Sequence, residues 1–101
     1  MKYYIAGKIN GDEKYREKFK EYADRLQAKG AVVLNPAELP EGMSQADYMR
    51  LCIPMLYAAD TVVFLPGWED SRGARIEFLL CDYIGKKIIV VSPSEEGRCE
   101  Q

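Results

Sequence analysis

The stretch Thr61-Val62-Val63-Phe64-Leu65-Pro66-Gly67-Trp68-Glu69-Asp70-Ser71-Arg72-Gly73-Ala74-Arg75-Ile76-Glu77-Phe78-Leu79-Leu80 holds the pattern on which the fold turns. Thr61 to Leu65 is β-branched and apolar without alternation, as in a strand covered on both faces. Pro66-Gly67 ends it. Ser71 to Tyr83 reads as a helix, with Ser71 at the capping position and Gly85 as the stop.

The same unit recurs on either side. Lys87 to Val91 is a further strand. At the N-terminal end, Tyr3 to Ala6 is a short apolar run that enters a loop holding Gly7 and Gly11. Tyr15, Phe19, Tyr22, Ala23 and Leu26 then mark one helical face, stopped at Gly30. Ala31 to Leu34 is the second strand, ended by Asn35-Pro36. A loop containing Pro36, Pro40 and Gly42 leads to Ser44, a capping residue for a helix carrying Tyr48, Leu51, Cys52, Met55 and Leu56. Pro54 inside that helix removes an amide donor and predicts a kink or break. Ser92 to Gln101 is a polar tail.

Strand and helix alternate, and the strands are apolar throughout. The expected fold is α/β, a flavodoxin-like or Rossmann-like three-layer sandwich. Its four-stranded parallel sheet has order 2-1-3-4, with helices on both faces. Residues 1–91 form one domain and 92–101 the tail. The order reverses between strands one and three, so ligands are expected beyond their carboxyl ends. The loops there are Gly7 to Gly11 and Pro66 to Gly73.

Composition narrows the chemistry. The chain has 101 residues, 14 Lys+Arg against 16 Asp+Glu, and no His. A net charge of −2 argues against coating a nucleic-acid polymer but not against a small phosphorylated ligand. Without His there is no Ser-His-Asp triad, Cys-His dyad or His-ligated metal; no metal and no cofactor is expected. Cys52, Cys81 and Cys99 are odd in number and lack CxxC spacing, which indicates neither a disulfide framework nor a zinc site. The opening apolar run is too short for a signal peptide or a membrane span, so a cytoplasmic protein without membrane contact is expected.

Two features carry candidate chemistry. Ser71 caps a helix whose first turn contains Gly73, leaving backbone amides open to an anion, with Arg72 or Arg75 to add charge. The plain alternative is a capped helix and nothing more. Glu77 has Gly73, Ala74, Leu80 and Cys81 as helical neighbours, none of them a cation. It is either a carboxylate held in a cleft, ionised and oriented as a nucleophile, or an ordinary exposed Glu.

Tyr4-Ile5-Ala6-Gly7-Lys8-Ile9-Asn10-Gly11, Ala59-Asp60-Thr61-Val62-Val63 and Ser71-Arg72-Gly73-Ala74-Arg75-Ile76-Glu77 together resemble the nucleoside 2-deoxyribosyltransferase-like superfamily. The resemblance covers Met1 to about Val91. It is greatest to a small bacterial and phage branch with the signature PGWExSRGAxxE. It implies cleavage or transfer at the N-glycosidic bond of a (deoxy)nucleoside or its 5′-monophosphate. Glu77 would be the nucleophile, with Tyr4 beside it and Asp60 a further catalytic candidate. The substrate-binding set would be Gly7, Ile9 and Gly11 from the first loop, and Trp68, Ser71, Arg72 and Gly73 from the second. Ser71 and Gly73 would take the 5′ end or its phosphate.

The chain departs from the superfamily at one catalytic position. Superfamily enzymes carry an Asp eight residues before the third-strand Asp, and here that position is Cys52. A thiol is a poor acid for a departing base. Asp60, Asp70 or Glu69 could supply the proton, or a good leaving group could dispense with it; Asp60 also has a plain reading as a strand-start turn residue. Larger members have a fifth strand where this chain ends after the fourth. A binding module holding a nucleotide or phosphosugar without turnover is the alternative function. A more remote one is the phosphoribohydrolase group, whose PGGxGTxxE loop is echoed only by Pro66-Gly67 and Gly73…Glu77. The resemblance also implies a homo-oligomer, with Tyr48, Met49 and Tyr57 as candidate surface.

Overall fold

The computed structural model describes residues 1–93. The elements run β1 (Lys2–Ala6), α1 (Tyr15–Ala28), β2 (Val32–Leu34), α2 (Gln45–Ala58), β3 (Thr61–Phe64), α3 (Arg72–Ile84) and β4 (Lys87–Val90). Short 3-10 turns at Pro36–Glu38 and Trp68–Asp70 follow β2 and β3. The sheet is parallel, in the order β2-β1-β3-β4. Tyr3 stands level with Val33 and Thr61, and Thr61 with Lys87. The fold is the expected flavodoxin-like α/β arrangement. Of the polar tail, residues 94–101, Cys99 among them, lie outside the described residues.

Alternation along the two central strands divides the core. Tyr4, Ala6, Val62 and Phe64 point to one face, where Cys52 and Leu56 of α2 and Cys81 of α3 cover them. Ile5 and Val63 point to the other, against Phe19 and Ala23 of α1. Ile5, Leu56, Val62, Val63 and Phe64 are each 0% exposed. Every such side chain stabilises the fold by roughly 1.5–3 kcal/mol. The edge strands are less covered: Val32, Ile89 and Val90 are exposed, because each has a neighbour on one side only.

The helix caps follow the sequence. Ser44 Oγ accepts the amide of Asp47 at the start of α2, and Ser71 Oγ that of Ala74 at the start of α3. Gly85, at φ 73°, closes α3 in the left-handed region that favours glycine. The expected break at Pro54 does not occur: α2 runs unbroken through it. Pro54 and Arg50 both lie on the exposed side. The Arg50 carbonyl, deprived of its amide partner, can therefore turn to water.

The chain leaves β1 toward the α1 face and leaves β3 toward the α2/α3 face. The loops after β1 and β3 thus diverge and open a crevice at the carboxyl ends of the two central strands.

Candidate functional site

A cavity of about 460 Å³ occupies that crevice, within the size range of small-molecule sites. Its floor is Tyr4, Ala6 and Gly7; one wall is Asp70 and the start of α3, through Ser71 to Ala74, Ile76 and Glu77. The opposite wall is α2, through Gln45, Tyr48, Met49 and Cys52. Seven of the residues singled out in the sequence meet here: Tyr4, Gly7, Ile9, Ser71, Arg72, Gly73 and Glu77.

Glu77 is 5% exposed, one of two buried polar or charged residues of the described chain. The Tyr4 hydroxyl donates to its Oε2 at 2.5 Å. No Lys or Arg pairs with it among the described residues. Burial raises the Glu77 carboxyl from 4.5 to about 7, and the Tyr4 hydrogen bond opposes that rise. Tyr4 itself is pushed well above the ordinary tyrosine value, first by burial and then by the Glu77 charge, so it remains a neutral donor. Glu77 is therefore a carboxylate that ionises near neutral pH, fixed by one hydrogen bond at the cavity wall.

The start of α3 supplies the second feature. Ser71 Oγ takes the third amide of the helix, Ala74, at 3.2 Å. The amides of Arg72 and Gly73 have no partner among the described residues, as expected of a first helical turn. Six residues separate Ser71 from Glu77, about 9 Å along the helix axis.

Glycine at the floor is a steric requirement. A Cβ on Gly7 would come within 3.1 Å of Phe19 Cζ and 3.4 Å of Leu65 Cβ. Phe19 presses up under the loop and lines the cavity through this close approach. A Cβ on Gly73 would meet Met49 Sδ at 3.6 Å and Ser71 Oγ at 3.9 Å, both ordinary contacts.

Four of the expected residues stand elsewhere. Asp60 is at the amino end of β3, opposite the cavity, where its Oδ2 accepts the Lys2 amide at 2.8 Å. That bond, aided by nearby positive charges, holds its carboxyl below the ordinary value. It is thus the turn residue of its plain reading, out of reach of Glu77. Glu69 is exposed and does not line the cavity. Gly11, at φ 82°, shapes the turn into α1 without reaching the cavity. Trp68 stacks on Phe78 at 4.6 Å and meets Phe64 edge-on at 5.2 Å, holding the β3–α3 loop against the core rather than facing a ligand.

Cys52, the position where the superfamily has Asp, does face the cavity. Burial raises its thiol; the Glu77 charge adds to the rise and contact with the Tyr4 hydroxyl opposes it. Tyr48 and Met49, expected on an oligomer surface, turn inward and line the same wall, whereas Tyr57 is exposed. Asn10, Pro36 and Gln45 also reach the cavity. No periodicity marks them, since each is a loop or element-start residue: Asn10 after β1, Pro36 after β2 and Gln45 at the start of α2.

A family model matches residues 1–90. The chain belongs to that family, described as a domain of unknown function, DUF4406. The match spans every strand and helix of the sheet and both sides of the cavity, so the site is built within the DUF4406 domain. The description carries no activity. Comparison with curated proteins gave no match. Among the described residues no helix of this DUF4406 chain is long and apolar enough to cross a membrane.

Proposed function

We propose that the protein cleaves or transfers at the N-glycosidic bond of a nucleoside, deoxynucleoside or 5′-monophosphate, with Glu77 as nucleophile. The observation that carries this is Glu77 itself, a carboxylate buried at a cavity wall, held by Tyr4 and not neutralised by any cation. A buried ionisable group of this kind is costly to the fold, which is the signature of a group kept for chemistry. The anomeric carbon lies at Glu77 and the 5′ end at Ser71, where the Arg72 and Gly73 amides receive it. The resemblance to the 2-deoxyribosyltransferase-like superfamily supports the same assignment. In the cytoplasm, where this reading places the protein, Cys52 and Cys81 stay reduced.

Cys52 favours a second reading. A thiol on the cavity wall in place of a carboxylic acid suits a binding module that holds the same ligand without turnover. Incubation with a panel of nucleosides, deoxynucleosides and their monophosphates, with released base read by chromatography, separates the two. Release that disappears in Glu77→Gln supports the enzyme. Calorimetric binding without any release supports the module. Under either reading the 5′-monophosphate binds more tightly than its nucleoside by about 1–3 kcal/mol.

We also place self-association on the outer face of α3. Ile76, Leu79 and Tyr83 are 51%, 67% and 88% exposed there, and the first of them reaches the cavity rim. Arg75 and Asp82 on the same face form no ion pair among the described residues. Two copies crossing antiparallel near Leu79 bury the apolar stripe and set each Arg75 toward the partner copy's acidic helix end. Leu79→Lys then shifts the sedimentation coefficient to that of a monomer; an unchanged value rules out this face.

A further inference from the structure

Among the described residues the cavity holds a candidate nucleophile but no acid placed beside it, and the proton on each protic wall residue can be followed. Tyr4 gives its proton to Glu77. Tyr48 gives its own to the Pro40 carbonyl at 2.7 Å. Ser71 sits at the helix tip, six residues from Glu77. Asp70 reaches the cavity rim, but it is exposed, on the 3-10 turn that precedes α3, one residue beyond Ser71. Retaining glycosidases keep their two carboxyl groups about 5–5.5 Å apart, less than the roughly 9 Å of helix between Ser71, the neighbour of Asp70, and Glu77. Asp60 is at the other end of the sheet and Glu69 is outside the cavity. Cys52 remains, and burial makes its thiol a weaker acid than an ordinary cysteine.

Glu77, meanwhile, is buried without a cation beside it. A buried carboxylate is stabilised by a positive charge brought to it. The missing acid and the missing cation are met by one kind of substrate.

Resting on the glycosidase reading above, we infer that this site acts on N-glycosides whose base is already cationic: a pyridinium, or a purine alkylated at a ring nitrogen. In such a substrate the bond breaks without protonation. A Glu77 oxygen attacks C1′, forming the C1′–O bond as the C1′–N bond breaks. The bonding pair passes to the ring nitrogen and discharges its positive charge, so the base leaves neutral. Water then attacks C1′, the Glu77 carboxylate is released, and the water's surplus proton goes to solvent. A neutral base would have to leave as an anion by this route, because no wall residue is placed to protonate it.

The test pairs each cationic substrate with its neutral parent. The probes are 7-methylguanosine against guanosine, and nicotinamide riboside against its dihydropyridine form, each as ribo- and 2′-deoxy-sugar, with and without a 5′-phosphate. Base release is followed with wild type, Glu77→Gln and Cys52→Asp, and circular dichroism verifies that each is folded. General acids contribute about 10²- to 10⁴-fold. The expected result is therefore a kcat/KM for the cationic member at least about 100-fold above its neutral parent, abolished in Glu77→Gln. A folded Cys52→Asp narrows that ratio by accelerating the neutral parents. If wild type turns over neutral parents within tenfold of the cationic members, the inference is overturned while the glycosidase reading stands. If folded wild type releases no base from any probe, both fall. The wild-type ratio decides the matter even where Cys52→Asp does not fold.

Discussion

Asp60 and Glu77 are two carboxylates at opposite ends of the same sheet. Asp60, at the amino end of β3, is exposed, and the Lys2 amide holds its carboxyl below the ordinary value. Glu77, packed against the carboxyl half of β1, is buried, and burial lifts it to about 7 against the pull of the Tyr4 hydrogen bond. Each accepts one hydrogen bond. What separates them is desolvation: water solvates the Asp60 charge, and the α2–α3 wall withholds it from Glu77. A carboxylate at the amino end does structural work, while one at the carboxyl end is left poised near neutral pH.

On the proposed glycosidase reading, the largest effect that sharpens this contrast is on turnover. Glu77→Gln lowers base release by at least about 10³-fold, the scale of losing a nucleophile, while ligand affinity stays within about tenfold. Asp60→Asn leaves turnover unchanged. An Asp60→Asn protein as inactive as Glu77→Gln breaks the comparison.

Next comes stability against pH, where the two residues have opposite signs. The folded Glu77 carboxyl lies above its unfolded value, so between about 4.5 and 7 the folded state holds more protons. Stability from this residue is therefore lost as pH rises through that window. Glu77→Gln relieves the cost, stabilising the protein at pH 8 by an amount on the order of 3 kcal/mol and by nothing at pH 4. Asp60, with its value lowered, contributes stability above its unfolded pKa and loses it as pH falls. Asp60→Asn is accordingly destabilising at neutral pH and neutral in acid. Urea melts at pH 4 and 8 read both. On the same glycosidase reading, wild-type turnover rises about tenfold per pH unit below 7 and levels off above it, as Glu77 ionises.

A smaller effect separates the two cavity glycines. Gly7→Ala drives a methyl group into Phe19 at 3.1 Å and costs about 1–3 kcal/mol by thermal melting. Gly73→Ala meets Met49 at 3.6 Å and improves helix propensity, so it changes stability by less than about 1 kcal/mol. Its cost falls on the ligand: the methyl covers the open amides and weakens monophosphate binding. Smallest is Ser71→Ala, which removes the cap on Ala74 and costs about 1 kcal/mol. Gly7→Ala tolerated as well as Gly73→Ala would mean that Phe19 can withdraw from the floor.

Much of the crevice was legible in the chain. Gly7 and Gly73 lie after apolar strands of the same sheet, and a topological switch brings such loops together. Glu77 was marked by its small, uncharged helical neighbours. Cys52, Tyr48 and Met49 were not placed by their own pattern, because a helix packed over a sheet has an inner face shared between core and cavity. Trp68 reads as a ligand platform in a loop, yet two phenylalanines, Phe64 and Phe78, engage it. Pro54 reads as a break, yet its exposed position lets water serve the Arg50 carbonyl.

The sequence by itself determined the elements, the caps and the helix stops, since these depend on periodicity and on residues within a few positions of one another. The strand order followed from connection rules for parallel α/β sheets rather than from any local pattern. Only the tertiary structure decided which carboxylate is buried at the cavity and which is a turn residue. Tyr4 and Glu77 are 73 positions apart, and their hydrogen bond exists because α3 lies across β1. The desolvation that raises Glu77 to about 7 comes from α2, β1 and α3 closing round it together. A pKa is set by everything within a few ångströms in space, and no spacing along the chain encodes that distance.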